Sequence, residues 1–403
     1  MLETYDFVLC GILAAKMSQV FFPSSNTLSS LLLMLIAYGV GFVFRPLGAI
    51  IFGYIGDIKG RKIALFYSLL GMSICTAGCG LLPSYETIGI SASLLFFVFR
   101  MLQGICIGGE AQGGSTFIVE HFWHYAPAAH GAFFATSNGM GALLATVVSL
   151  VFLTIDSNNV HIWRYPFMFG ALVGLVGFFI RRCVPETPIF EKHSMSSNPV
   201  VSSLKHNTSG WLIAFCYFAL ITSVTQFGFT FINVYLSTFI GFEKTTALTF
   251  ACVGTLLAMG GVGATGLFLK KYAVDLDKII QLGSWIALIM APLVMLLLAS
   301  GDMMQIIFAL FILSFFTGLL CGVAPYFIAL QFKHSHRYSG SALVSNLASG
   351  LVGGFFPTIG VFLLDKTHIT VLPGLYISGL SLLFLCVNWL FKKDVFDEKT
   401  RSY

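Results

Sequence analysis

Long apolar segments separated by short polar connections run through the whole sequence. Hydrophobic residues make up 57% of the 403 residues and charged residues only 10%, with a mean hydropathy of +0.88. Soluble domains have roughly 25% charged residues, so this composition indicates a polytopic membrane protein. A spanning helix needs about 20 apolar residues. The apolar segments that meet this length are Tyr5–Phe22, Leu28–Phe52, Ile63–Leu82, Ile90–Ile118, Gly131–Leu153, Ile162–Arg181, Trp211–Phe239, Thr246–Leu269, Ile279–Leu298, Met304–Phe327, Gly340–Leu364 and Leu372–Phe391.

The basic residues are distributed unevenly over the connections between these twelve segments. Positive charge is retained on the cytoplasmic side of a membrane, so the bias predicts that both termini are cytoplasmic. The basic residues of that side are Lys59, Arg61, Lys62, Arg181, Arg182, Lys192, Lys205, Lys270, Lys271, Lys278, Lys333, Arg337, Lys392, Lys393, Lys399 and Arg401. The other side holds Lys244 and Lys366, with Arg164 near its boundary. The first residues show no pattern of a cleaved signal peptide, and we expect the first span to be retained.

An arginine followed by proline lies inside the second apolar segment, and a glycine-spaced basic turn follows that segment. Arg45 lies roughly 12 to 18 Å from the turn at 1.5 Å per helical residue, which is close to the membrane midplane. A cation at this depth is functional by default, because hydrocarbon does not tolerate it without a partner or water. Pro46 is expected to kink the helix. The turn itself carries Gly53, Asp57, Gly60, Arg61 and Lys62.

The fourth apolar segment contains a second charged motif. Arg100, Gln103, Gly104 and Gly108 recur at steps of three and four and therefore share one stripe of the helix. Glycines at this spacing allow a neighbouring helix to approach closely. Glu110 follows about 15 Å nearer the cytoplasm, so it need not pair with Arg100.

These motifs resemble those of a known transporter family. The basic turn resembles the signature loop of the major facilitator superfamily. With the Arg-Pro-Leu-Gly run at 45–48, the Gly-Gly-Glu run at 108–110 and the Glu-Thr-Pro-Ile-Phe run at 186–190, the chain resembles its metabolite:proton symporter family, which includes proline/betaine transporters. The resemblance implies an all-α fold of twelve transmembrane helices in two pseudo-symmetric six-helix bundles. It also implies that Gly53, Asp57, Gly60, Arg61 and Lys62 form a cytoplasmic gate.

The change in composition after the sixth segment indicates how the chain is divided. We expect a first six-helix bundle at residues 1–190, a polar cytoplasmic linker at 191–210, a second bundle at 211–391 and a short cytoplasmic tail at 392–403. Weak similarity between the two halves is the internal symmetry that such transporters show.

The ionisable residues of the first half are the predicted functional site. Arg45 and Arg100 are candidate ligands for an anionic group, since a guanidinium is always charged and can bind a carboxylate with two hydrogen bonds. We add Gln103 and Lys16 as candidate cargo-binding residues. Asp6 and Glu110 are candidate proton carriers, because burial of a carboxylate favours its protonated form and access to water favours its charged form. Arg100 and Glu110 could instead serve only helix packing.

Three functions compete on these features. A proton-coupled symporter that imports a small zwitterionic or carboxylate metabolite such as proline or betaine fits best, with a di- or tricarboxylate such as 2-oxoglutarate or citrate as the alternative cargo. An efflux antiporter is second. A membrane enzyme is a poor third, because no nucleophile triad, metal set or phosphate-binding loop is present. We expect a monomer in the bacterial inner membrane that uses the proton gradient and needs no cofactor, metal or nucleic acid.

Overall fold

The fold is known from a computed structural model that describes most of the chain. The described residues are 2–59, 61–109, 114–115, 118–119, 122, 125–155, 159, 161–183, 208–272, 275–332 and 337–400. Some helical positions within these ranges are described for the backbone only. Most of the expected linker, 191–210, lies outside the described residues.

Twelve helical spans follow one another through these residues, and we number them α1 to α12. A span that is briefly interrupted keeps one number. The spans are α1 (Leu2–Ile12 and Ala14–Phe21), α2 (Thr27–Val43 and Arg45–Lys59), α3 (Arg61–Leu81), α4 (Ile90–Gly108), α5 (Pro127–Ile155), α6 (Arg164–Cys183), α7 (Thr208–Gln226, continued to Ile240), α8 (Lys244–Lys271), α9 (Leu276–Ala299), α10 (Met303–Leu330), α11 (Arg337–Leu351 and Phe356–Thr367) and α12 (Leu372–Thr400).

Nine helices of the described chain are long and apolar enough to cross a membrane. The other three spans are α1, which is split, α3, whose shorter apolar part is Phe66–Leu81, and α6, which ends in Arg181 and Arg182. The twelve-helix, all-α fold expected from the sequence is therefore confirmed. Several boundaries differ from the expectation. The largest differences are that α4 ends at Gly108 instead of Ile118, α12 continues past Phe391 to Thr400, and α2 continues past Phe52 to Lys59.

The spans pack as two groups of six. In the first half α3 packs against α4 and α6, and α2 against α4; in the second half α8 and α9 pack against α10, and α7 and α9 against α12. The halves meet where α5 packs on α8 and α10, α2 on α11, and α1 on α7. We call the end of the bundle where α1 begins and α2 ends the terminal face, and the other end the opposite face.

Glycines bring α2 and α4 into backbone contact. A Cβ atom at Gly104 would overlap the carbonyl of Gly41, one at Gly48 would overlap the carbonyl of Ile105, and one at Gly108 would overlap the carbonyl of Arg45. The small-residue face predicted from the sequence is confirmed. Because the two backbones touch, any side chain on α2 near Gly41 and Arg45 is held in a fixed position relative to α4.

We expect Gly104→Ala to destabilise the protein, because the added methyl group has to displace backbone rather than a flexible side chain. Overpacking of this kind costs about 1–3 kcal/mol, which should lower the melting temperature of the purified protein in detergent. Gly260→Ala on α8 is the control, since a Cβ there meets nothing within 4 Å and replacing a helical glycine by alanine stabilises by roughly 0.5–1 kcal/mol. Equal melting temperatures for the two variants would contradict the close packing.

Candidate functional site

A cavity of about 260 Å³ lies between the two halves. Residues of α1, α2 and α5 line it from the first half, and residues of α7, α8, α10 and α11 line it from the second. Arg45 is the charged residue among the described lining residues, and no acidic side chain is among them. The aromatic part of the wall consists of Phe7, Phe42, Phe134, Phe218 and Phe229; the polar part includes Thr4, Thr136, Asn138, Thr222, Thr225, Gln226, Thr317 and Ser349.

A break in α2 places Arg45 at this cavity. The helix is interrupted at Phe44 and restarts at Arg45. Pro46 causes the break, because proline has no amide hydrogen and its ring clashes with the carbonyl four residues earlier. An irregularity at this proline was expected, and the interruption at Phe44 agrees with it. Gly104 touches the Gly41 carbonyl before the break and Gly108 touches the Arg45 carbonyl after it, so the backbone that carries Arg45 is held against α4 on both sides of the break.

Phe7 connects the two arginines predicted as functional. The guanidinium carbons of Arg45 and Arg100 each lie 4.3 Å from the centroid of the Phe7 ring. Arg45 also lies 4.1 Å from the Phe42 centroid, and Arg100 lies 5.4 Å from the Tyr38 centroid. Cation–π contacts of this kind are worth about 2 kcal/mol or more when they are desolvated. The aromatic rings thus hold the two cations in place without neutralising their charge.

Arg100 begins a buried chain of hydrogen bonds. Its NH1 donates to Gln103 Oε1 at 2.8 Å, Gln103 Nε2 donates to Thr76 Oγ1 at 2.9 Å, and Thr76 Oγ1 donates to Asp6 Oδ2 at 2.9 Å. Arg100, Gln103 and Thr76 are fully buried and Asp6 is 3% exposed. The chain therefore joins α4, α3 and α1 and connects the acidic and basic candidates of the first half.

The described part of the chain does not satisfy all the hydrogen-bond donors of Arg100. Its Nε and NH2 are buried and make no hydrogen bond to the described residues. A buried cation with unused donors is costly unless a water or an anion satisfies it. The positive charge of Arg100 therefore stabilises an anionic group that lies near it.

The second half contributes polar groups next to π-helical turns of α7. The turns are Phe227–Phe231 and Leu236–Ile240, and such turns occur often at functional sites. Gln226, just before the first turn, lines the cavity. Its Oε1 accepts from the Tyr38 hydroxyl at 2.8 Å and from Thr230 Oγ1 at 3.2 Å. The Tyr38 bond crosses from α2 to α7 and therefore joins the two halves.

Two further hydrogen bonds join the halves, one towards each face. Asn233 Nδ2 donates to the carbonyl of Ile12 at 3.0 Å, and Asn346 Nδ2 donates to the carbonyl of Gly108 at 3.0 Å. The Ile12 carbonyl is available because α1 is interrupted at Leu13, where the amide of Lys16 bonds to Leu13 instead. Gln226, Asn233 and Asn346 thus each form a hydrogen bond to a helix of the other half.

The predicted site residues lie in different parts of the structure. Arg45 lines the cavity. Arg100, Gln103 and Asp6 lie behind Phe7, inside the first half, and Lys16 is half-buried in α1 beyond the break at Leu13. Glu110 and Gly60 lie outside the described residues. Gly53 and Asp57 belong to the helical backbone of α2, and Arg61 and Lys62 to that of α3, rather than to the turn expected from the sequence; the side chains of Asp57, Arg61 and Lys62 lie outside the described residues. Cargo contact by Arg100, Gln103 and Lys16, and proton binding at Glu110, stay predictions.

Sequence reasoning did not find Phe7, Tyr38 or Thr76. Each is a common residue type in an apolar segment, and no spacing marks it. Only the fold brings Thr76 of α3 between Asp6 and Gln103. Metal binding has no support in the described part of the chain, where no three His, Cys, Asp or Glu side chains group together.

A cavity between two six-helix halves of a membrane-embedded bundle is the architecture of a carrier for small solutes. The Major Facilitator Superfamily matches residues 7–279, which is more than half of the chain, and the chain belongs to this family. It is an integral membrane transporter of small molecules and not an enzyme.

Curated relatives over most of the chain are transporters. The chain is 28% identical to the "Ectoine/proline transporter ProP" of Corynebacterium glutamicum, over 95% of this chain and 81% of that protein. It is also 28% identical to the "Proline/betaine transporter" of Escherichia coli K12, over 97% of this chain and 81% of that protein. The resemblance to proline/betaine transporters that the motifs indicated is confirmed.

Solved structures share the fold. The xylose transporter XylE from E. coli, in a partially occluded inward-open conformation, superposes with a TM-score of 0.74 at 15% identity, covering 97% of this chain and 96% of that chain. The E. coli fucose:proton symporter FucP superposes with a TM-score of 0.65 at 14% identity, covering 97% of each chain.

We expect Tyr38→Phe to loosen the contact between the halves. The substitution removes a buried hydrogen bond to Gln226, and such bonds between membrane helices average about 0.6 kcal/mol, which corresponds to roughly a threefold change in population. Hydrogen–deuterium exchange at the opposite-face ends of α1 and α7 should become faster. Tyr217→Phe is the control, because Tyr217 donates to the Leu320 carbonyl within the second half. Faster exchange in both variants would show a general loss of stability instead.

Proposed function

We propose that this protein is a proton-coupled symporter that imports a small zwitterionic or monocarboxylate metabolite of the proline or betaine type by alternating access. The observation that carries the proposal is the cavity between the halves, where Arg45 is the one charged group among the described lining residues and aromatic rings form much of the wall. One cation with an aromatic surround matches a small cargo that has one carboxylate.

The chemistry of the cavity supports this class of cargo. Arg45 can bind a carboxylate with two parallel hydrogen bonds. A substituted ammonium group on the same cargo would be attracted to aromatic faces, and Phe134, Phe218 and Phe229 supply them. A di- or tricarboxylate brings two or three negative charges, which Arg45 alone does not neutralise. The transporter names of the relatives support the same choice.

Asp6 is the proposed proton carrier. It is a carboxyl group that is 3% exposed in the middle of the first half, and an ionisable residue at such a place in a membrane protein is a functional candidate. Glu110 is the second candidate. Asp6 lies behind Phe7 rather than on the cavity wall, so the proton and the cargo would occupy neighbouring but separate positions.

We further propose that the terminal face is cytoplasmic, that the membrane is the bacterial inner membrane and that the monomer is the transporting unit. The basic residues that end α6, α8 and α12 support this orientation, because all three helix ends lie at the terminal face. In this orientation Gly53, Asp57, Gly60, Arg61 and Lys62 form the cytoplasmic gate that the family resemblance implies.

Uptake into proteoliposomes with an acidic exterior tests the cargo. We expect accumulation of labelled proline or betaine, and none of 2-oxoglutarate or citrate. Arg45→Gln should raise the KM at least tenfold, because a hydrogen bond to a charged group is worth about 1.5–3 kcal/mol and 1.4 kcal/mol is a factor of ten.

Arg164→Gln is the matched control for Arg45, since Arg164 is half-buried at the start of α6, against Trp163, and is not among the cavity-lining residues. Its KM should equal that of the wild type. Uptake of citrate in preference to proline and betaine would refute the proposed cargo, and accumulation only with the opposite pH gradient would identify an antiporter.

Asp6→Asn tests the proton carrier. An amide cannot carry the transported proton, so we expect pH-gradient-driven accumulation to be lost while cargo still equilibrates down its own concentration gradient. The measurement compares the two kinds of uptake in the same proteoliposomes. Asp277→Asn is the control, because Asp277 is a buried carboxylate in the first turn of α9. Wild-type accumulation by Asp6→Asn would exclude Asp6, and Glu110→Gln would then be the variant that loses accumulation.

A further inference from the structure

The direction of every hydrogen bond between Arg100 and Asp6 is fixed by chemistry. A guanidinium only donates, so Gln103 Oε1 must be the acceptor of the Arg100 bond. Its amide nitrogen then faces Thr76 and can only donate. Ionised Asp6 can only accept, so the Thr76 hydroxyl, which accepts the Gln103 bond, directs its own hydrogen to Asp6 Oδ2.

The two oxygens of Asp6 consequently have different roles. Oδ2 receives the Thr76 hydrogen at 2.9 Å and is the acceptor at the end of the chain. A transported proton is then favoured on the other oxygen, Oδ1, because the unprotonated oxygen of a carboxylic acid is the better acceptor for the Thr76 hydroxyl. That oxygen faces α6, at the position where a Cβ atom on Gly170 would overlap it. The glycine thus leaves the room that Oδ1 occupies.

Among the described groups around Asp6, Thr76 is the side chain that donates a hydrogen bond to Oδ2. Tyr5, next in sequence, donates its hydroxyl to the Pro166 carbonyl at 2.7 Å. Cys79, one turn beyond Thr76 on α3, is buried and within electrostatic reach of Asp6. Tyrosine and cysteine are neutral at pH 7 in their ordinary state, so Arg100 is the charged group connected to Asp6 by described hydrogen bonds.

We propose that Thr76 is a positioning residue for proton coupling: its hydroxyl orients Asp6 so that the transported proton binds Oδ1, and it connects Asp6 through Gln103 to Arg100. Arg100 shares the Phe7 ring with Arg45 of the cavity. Protonation of Asp6 removes the negative charge at one end of this chain, so that Arg100 at the other end is no longer connected to an anion through the described hydrogen bonds. The inference rests on the proposed function, because it assumes that Asp6 carries the proton.

Most hydroxyl groups in the spans do not have this arrangement. Thr146 of α5, which is 2% exposed, donates to the Ala142 carbonyl of its own helix at 2.8 Å, and Thr255 of α8 does the same with Ala251 at 2.8 Å. Such bonds are the usual way to satisfy a threonine within an apolar helix. Thr76 instead bonds to side chains of two other helices.

The test uses Thr76→Val, which keeps the shape of the side chain and removes the hydroxyl, and Thr76→Ser, which restores it. Each full-length variant is purified, reconstituted and assayed for pH-gradient-driven accumulation of proline or betaine and for exchange of the same cargo without a gradient. We expect Thr76→Val to lose accumulation at least tenfold with a change in exchange of less than about threefold, and Thr76→Ser to accumulate as the wild type does. Thr146→Val, the matched control, should resemble the wild type in both assays.

The possible failures differ from one another. Wild-type accumulation by Thr76→Val overturns the role of Thr76 alone, and so does an equal loss in Thr76→Ser, which would show that side-chain volume matters rather than the hydroxyl. A parallel fall of exchange and accumulation also overturns it. A wild-type protein that exchanges proline or betaine but does not accumulate it under a pH gradient overturns the proposed proton coupling itself. If Thr76→Val does not fold, Thr76→Ala removes the same hydroxyl with a smaller side chain.

Discussion

A fully buried guanidinium in an apolar bundle requires partners, and the first half of this protein is arranged around that requirement. Arg100 is enclosed by Phe7 and Tyr38 and linked to Asp6 through two neutral side chains. Direct pairing with a carboxylate would neutralise it and fix it in one place. The indirect link leaves the cation sensitive to the charge of Asp6, because each neutral group in the chain is oriented by the one before it.

Interruptions of the helices provide the positions that this arrangement needs. The break at Phe44 places Arg45 on the cavity, and the break at Leu13 releases the Ile12 carbonyl to Asn233 of the other half. The π-helical turn after Gln226 lies on α7, which faces α1. Irregular backbone in a membrane is tolerated where protein or a water-filled cavity covers it, and all three sites lie between the halves.

Some features of this structure could be predicted from the sequence, and others could not. Hydropathy predicted the twelve spans, since a membrane imposes length and polarity on every one of them, and Pro46 predicted the break in α2. The break at Leu13 left no signal, because neither proline nor glycine occupies residues 12–14 and Asn233, more than two hundred residues away in sequence, satisfies the released carbonyl. Thr76 could not be predicted either, because nothing in the sequence distinguishes it from the threonines that bond to their own helix. The buried charges were predictable; their connections depend on tertiary structure.

The hydrogen-bond network of the charged residues lies within one half of the protein, whereas the hydrogen bonds discussed above join the two halves. Asp6, Thr76, Gln103 and Arg100 all belong to the first half, where hydrogen bonds between their side chains join α1, α3 and α4. The halves are joined near them by single hydrogen bonds, such as those of Tyr38 and Asn233, each worth about 0.6 kcal/mol on average in a membrane. Rocking of one half against the other would break these single bonds and change the packing of α5 on α8 and α10 and of α2 on α11, while the network, which lies within the first half, would stay intact. A cargo that contacts Arg45 and Gln226 together would add a connection between the halves of the same order as those bonds, which is enough to shift their equilibrium several-fold.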